Sequence, residues 1–243
     1  MFSSYEPSAE TYMRILIALS LMMTAAIHAE TRVPVLVELF TSEGCSSCPP
    51  ADKLLADLSG TQPIKNADVI VLSEHVDYWN TLGWKDPFSS KAFSERQEFY
   101  SRVMGSSDIY TPQAIIDGRY SAVGSNRQNV LKALSSSSAM PKEELALAVK
   151  REGDGLRIDL AHAAKGDLWV AVAQSKAVSR ISGGENDGRT LAHVGVVRSM
   201  VKVNGNQVHV ALDRNWQGEL KVVAFVQDAK SGRILQIAQS AGL

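Results

Sequence analysis

The chain holds two cysteines, Cys45 and Cys48, in "SEGCSSCPPAD" (42–52). A Cys-x-x-Cys pair serves as a staple, as part of a metal site or as a redox couple. As a staple it is weak: the chain-entropy model gives roughly 2 kcal/mol for a loop of about four residues, against roughly 4.7 for a hundred-residue loop. Short loops also strain the bond and ease its reduction, which suits a catalyst. A structural zinc site wants four ligands. No second Cys-x-x-Cys is present, and the histidines beyond His28 are His75, His162, His193 and His209. Two thiolates with His75 would suit a soft ion, copper or zinc. In the redox reading one thiolate attacks a partner disulfide and the second resolves the mixed disulfide. Cys45, preceding a helix, is expected to be the exposed nucleophile, and Cys48, one turn further in, the resolving thiol. The residue types alone leave all three open.

The elements that position this pair follow from periodicity. "VPVLVELF" (33–40) reads as a buried strand that ends just before the cysteines. "PPADKLLADLSG" reads as a helix, with prolines at its start and Gly60 as its stop. "DVIVLSEHVDYW" (68–79) reads as a second strand, and the strand, helix, strand order implies a right-handed parallel crossover. Both strands then end at one sheet edge, where His75 and Asp77 would lie near Cys45. Residues 89–105 read as a helix, and the Asp-Gly of "IYTPQAIIDGRYSAVGS" as a tight hairpin entered through Thr111 and Pro112. Residues 126–134 read as a helix and "SSSSAMP" as a linker. Seven alternating runs follow, separated by turn signals, and describe an antiparallel sandwich or barrel.

From Met13 the chain reads "MRILIALSLMMTAAIHAET", the layout of a secretory signal peptide over 13–29. The apolar run is short for a membrane span. Residues 1–12 are polar with two glutamates, unlike the basic segment that precedes such a run, so Met13 is expected to be the true start. Cleavage would place the protein in the periplasm or outside the cell, without a membrane anchor. The 25 basic and 26 acidic side chains give no field for nucleic acid. Hence the expected partners are protein thiols or disulfides of the cell envelope, and no cofactor is called for.

This order of elements resembles the thioredoxin-like fold over residues 33–138. "LFTSEGCSSCPPAD", "HVDYW" and "YTPQAIIDG" are more narrowly similar to a family of predicted secreted bacterial proteins of unknown function built on that fold. The resemblance implies that Cys45 and Cys48 are the redox pair and that Pro112 is a cis-proline holding a partner's extended backbone, with Thr111 before it. It further implies that Glu38 is the buried carboxylate that moves protons for the resolving thiol. Gly44 stands where that fold commonly has tryptophan, and one extra residue separates Glu38 from the cysteines. Pro49 disfavours helical backbone at Cys48, which would carry the helix dipole away from Cys45.

Other polar residues have plainer readings. His75 and Asp77 are expected to cap a strand end. Glu185, Asn186, Asp187, Arg189 and His193, within the glycine-rich stretch 183–198, are expected to form an ordinary turn. Trp79, Trp84, Trp169 and Trp216 read as core or rim anchors. The expectation is therefore an α/β thioredoxin-like domain (33–138) followed by an all-β, sandwich-like domain (142–243), acting in thiol-disulfide exchange. A copper or zinc carrier and a non-catalytic binding module are the alternatives.

Overall fold

A computed structural model describes residues 32–243. The signal peptide and the start expected at Met13 lie outside the described residues. Strand β1 (Val33–Thr41) leads to α1 (Pro49–Thr61), which returns the chain to β2 (Ala67–His75), parallel to β1. Helix α2 (Lys91–Val103) precedes the hairpin β3 (Gln113–Ile116) and β4 (Tyr120–Val123), and α3 (Arg127–Ser138) follows. Then come β5 (Ala146–Glu152), β6 (Gly155–Ala161), β7 (Asp167–Arg180), β8 (Thr190–Val203), β9 (Gln207–Ala211), β10 (Leu220–Gln227) and β11 (Ile234–Gln239).

The helices begin where local chemistry satisfies their free N–H groups. Pro49 and Pro50 open α1 without wasting donors. Ser90 caps α2 through Ala92 N, and Asn126 caps α3 through Asn129 N. Asp117 and Gly118, at φ 56° and 61°, form the expected hairpin turn, which needs left-handed backbone at both positions. Glycine is required at 118 for a second reason: a Cβ there would lie 1.9 Å from the Gly232 carbonyl oxygen.

Eight strands form one sheet in the order β11-β10-β7-β8-β2-β1-β3-β4, and β5-β6-β9 form another. The join is β8 against β2, parallel, at Ser73 and Val196. Strands of the expected segments 33–138 and 142–243 thus share a sheet, and Arg32–Leu243 is one compact unit. Alternation along β1 sends Val35, Val37 and Leu39 into a core with Leu54, Leu55 and Leu58 of α1 and Leu134 of α3. Leu36 enters the opposite core, with Phe93 of α2 and Phe225 of β10. A third core, with Leu156 and Ile158 of β6 and Val170 and Val222 of β7 and β10, joins the small sheet to the large one.

Two local readings need correction. The serines expected as linker complete α3: Ser137 and Ser138 are buried, and the Ser138 hydroxyl lies 3.0 Å from the Ser135 carbonyl oxygen and 3.2 Å from Asn66 Oδ1. Serine's helix propensity is middling, and packing decides its state here. The second strand stops at His75 rather than Trp79, and residues 77–83 turn instead. No helix among the described residues is long and apolar enough to cross a membrane.

Candidate redox site at the end of β1

Beyond Thr41 the chain makes two tight turns, with Cys45 N donating to the Ser42 carbonyl and Cys48 N to the Cys45 carbonyl, both at 3.2 Å. Cys48 is the N-cap of α1. Its backbone is helical despite the following proline (φ −78°, ψ −37°), and its carbonyl accepts from Ala51 N and Asp52 N. The two cysteines are joined in a disulfide with a Cα–Cα distance of 5.4 Å.

The expected companions arrive in part. The Thr111–Pro112 bond is cis. The Thr111 carbonyl oxygen lies 3.5 Å from Ser47 Oγ, and Ser47 Oγ lies 3.3 Å from Cys45 Sγ. Trp79 Nε1 donates to Thr111 Oγ1 at 2.8 Å, and a Cβ on Gly44 would meet Trp79 Cβ at 3.2 Å. A tryptophan from the β2–α2 loop therefore packs beside the motif, next to the glycine that precedes Cys45.

Glu38 is not brought to the sulfurs. It shares the face of Leu36, whereas α1 lies on the face of Val37 and Leu39. It is fully buried, receives Arg96 Nε at 2.5 Å and is bonded by the Tyr100 hydroxyl. Arg96 also reaches Tyr100 Oη at 3.1 Å and Gln227 Oε1 at 3.2 Å, and lies 3.6 Å from Glu74. Burial first, and then the charge of Glu38, holds the Glu74 carboxyl well above its usual pKa. This network ties α2 to β1, β2 and β10. Asp77, in the loop after β2, is also tied to α2: its backbone N–H donates to Ser94 Oγ, and its carboxylate accepts from the Ser94 hydroxyl.

Sequence reasoning missed three acidic residues near the motif, Asp52, Glu43 and Asp86. Asp52, one turn past Cys48 and buried, accepts from Thr41 Oγ1 at 3.0 Å. Glu43, also buried, accepts from Trp84 Nε1 through Oε2 at 2.8 Å. Between these carboxylates sits His193, with Nε2 3.4 Å from Glu43 Oε1 and Nδ1 3.7 Å from Asp52 Oδ1. Burial opposes its charge, but Asp52 and Glu43 outweigh burial and push the His193 pKa up to about 9. The His75 ring packs against the His193 ring at 4.8 Å between centroids, and its Nδ1 lies 2.7 Å from Asp86 Oδ2. The same Asp86 oxygen accepts from Glu43 N at 2.8 Å. Asp86 is held below the usual carboxylate range: burial raises it, and the charge and hydrogen bond of His75 prevail.

The glycine-rich stretch is not an ordinary turn. Residues 181–189 form the tip between β7 and β8, and His193 already belongs to β8. Buried Asn186 donates from Nδ2 to the carbonyls of Glu43 (2.8 Å) and Cys45 (2.9 Å), while Glu185 Oε2 accepts from Ser46 N at 2.9 Å. Gly183 passes so close to Gly83 that a Cβ would lie 2.3 Å from its carbonyl oxygen. Both cysteines are 0% exposed. The expectation of an exposed Cys45 thus fails, and a segment more than a hundred residues downstream grips the motif's backbone. Among the described residues no three His, Cys, Asp or Glu side chains are arranged to hold a metal ion, Cys45, Cys48 and His75 included.

Fold and site together define a mixed α/β protein with an occluded Cys-x-x-Cys disulfide between a strand end and a helix start. The sequence matches the family DUF1223, described as a protein of unknown function, over residues 36–227, and the chain belongs to that family. It is similar to a protein of Agrobacterium tumefaciens solved by X-ray crystallography: 30% identity, TM-score 0.65, covering 87% of this chain and 96% of that one. HBP35 of Porphyromonas gingivalis shares the fold at TM-score 0.56 and 15% identity, over 86% of this chain and 75% of its own. No protein of curated function matches.

Proposed function

We propose that this protein is a thioredoxin-like thiol-disulfide oxidoreductase of the bacterial cell envelope, acting on protein thiols or disulfides. Cys45 exchanges with the partner, Cys48 resolves, and Thr111 with Pro112 presents the partner's backbone. One observation carries the reading: the Cys45–Cys48 disulfide at the start of α1 stands beside a cis Thr111–Pro112 bond, with the Thr111 carbonyl 3.5 Å from Ser47 Oγ. Fold by itself does not establish activity. Exchange also requires Glu185 and Asn186 to release the motif, so the reading makes the 181–189 tip a gate. The signal-like segment at 13–29 supports the envelope location.

The test is redox titration of the mature protein in glutathione buffers, with trapping of mixed disulfides by Cys48→Ser. A definable potential and trapped partners are expected. Neither would appear if the pair were inert. The complete burial of both sulfurs favours a second reading, a non-catalytic binding module with a structural disulfide. In that case partners captured by the wild type persist when both cysteines become serine.

A further inference from the structure

Four buried side-chain polar atoms of one cluster lack a well-formed hydrogen bond: His75 Nε2, and Glu43 Oε1 with both ring nitrogens of His193, which meet carboxylate or imidazole only as ion pairs at 3.4 and 3.7 Å. Orphaned buried polar atoms are uncommon and costly, and ask for a role. Glu43 comes from the loop after β1, Asp52 from α1, His75 from β2, Asp86 from the loop before α2, and His193 from β8. Arg198 is a cation near the cluster, its guanidinium 5.0 Å from the ring centre of Phe88; Phe88 in turn packs on both histidines. The cluster is linked to the disulfide by helical geometry. Because Cys48 has helical backbone, Cys48 and Asp52 stand at i and i+4, with Cβ atoms roughly 5–6 Å apart.

We propose that Asp52 and His193 form a proton reservoir for the Cys48 thiol, with Asp52 exchanging the proton and His193, its Nδ1 3.7 Å from Asp52 Oδ1, acting as a positioning residue. The proposal deepens the exchange reading and rests on it for its purpose. In the resolving step Cys48 gives its proton to Asp52 and attacks Cys45 Sγ. The Cys45–Cys48 bond forms, the bond from Cys45 to the partner sulfur breaks, and the partner leaves as a thiolate that takes up a proton. Two electrons pass from the dithiol to the partner's disulfide, and no other reactant is needed. The elevated affinity of His193 for its proton keeps a positive charge between the two carboxylates at neutral pH. Glu38, on the other face and paired with Arg96, does not reach this path.

The test reads Cys48 directly and does not require a partner. In the reduced Cys45→Ser protein, thiolate absorbance titrates Cys48 alone. Asp52→Asn removes a nearby negative charge and is expected to lower the midpoint by about one pH unit; His193→Gln removes a positive charge and is expected to raise it by a similar amount. Opposite signs are the signature, since simple structural damage would not produce them. Equal midpoints, or shifts of the same sign, overturn the proposal. Wild-type protein supplies a second measurement that needs no substitution. The His193 ring titration, followed by NMR, is expected at higher pH in the reduced than in the oxidised form, because coupling between two sites is reciprocal. Identical titrations in both forms overturn the proposal even if the variants fail to fold. Loss of coupling alongside successful partner trapping rejects the reservoir and keeps the exchange reading; coupling without any trapped partner does the reverse.

Discussion

Asn186 gives the most direct handle on whether the 181–189 tip gates the disulfide. Its Nδ2 makes two buried bonds, 2.8 Å to the Glu43 carbonyl and 2.9 Å to the Cys45 carbonyl, and its Oδ1 accepts from Arg189 Nη1 at 2.8 Å. Asn186→Asp keeps the size of the side chain but removes the donor and points a carboxylate at two carbonyl oxygens. At about 1 kcal/mol net per lost bond, the closed state loses about 2 kcal/mol, a roughly 30-fold rise in the open population. If opening is fast relative to attack, reduction by a soluble phosphine tracks that population. Under limiting reductant the disulfide of Asn186→Asp should be reduced roughly 30-fold faster than wild type, with Asn186→Ala close behind, as counted by thiol alkylation and mass spectrometry. Circular dichroism confirms that the fold is retained. Rates within twofold of wild type for both folded variants would refute the gate, because the sulfurs would then be reached without disturbing the tip.

Other perturbations address the rest of the site. Hydrogen bonds from Ser46 hold Glu185 below its ordinary carboxylate pKa, so its contribution is present above the unfolded value and is lost as pH falls through the folded one. Phosphine reduction of wild type should accelerate across that acid interval, and Glu185→Gln should lack the inflection. His193 has the opposite sign: its raised pKa stabilises the fold fully below pH about 6.5, and the contribution fades as pH approaches about 9. Urea unfolding should show on the order of 3 kcal/mol lost over that window, and His193→Gln should remove the slope. Arg96→Met strands Glu38 as an uncompensated buried charge and should cost about 3–5 kcal/mol in the same assay. Gly124→Val would push side-chain atoms into Leu39, Ala51 and Pro112, where even a Cβ would stand 2.7 to 3.2 Å from neighbours. It should cost about 1–3 kcal/mol and speed reduction of the disulfide by disturbing the Pro112 turn.

What could be read from the sequence was local. Apolar runs and alternation placed the strands, prolines and a stopping glycine placed the first helix, and Asp117-Gly118 placed the hairpin, because each depends on neighbours within a few positions. Glu38 shows where that reasoning stops. It is close to Cys45 in sequence, but side chains in a strand alternate between faces, so residue 38 meets Arg96 on one side while residue 41 meets Asp52 on the other. Asp52 carried a weak signal, an acid four residues after Cys48 on the helix's buried side. Asn186 carried none, since its contacts span 141 and 143 residues and no local pattern announces them.

The placement of β8 shows how a buried disulfide could still serve the proposed exchange. By lining up beside β2, β8 delivers His193 to the polar cluster next to α1, while the connection from β7 lays Glu185 and Asn186 on the outer backbone of the motif. A disulfide that is merely structural would need the cover and not the buried carboxylates and imidazole, whose desolvation is costly. A freely exposed redox pair would need the carboxylates and not the cover. Having both on one hairpin means that any motion opening the tip starts only a few residues from the group that faces Asp52. Under the proposed exchange activity, access to Cys45 and the charge beside Cys48 would be set by the same piece of chain, giving the β-rich half of the molecule a chemical task as well as a structural one.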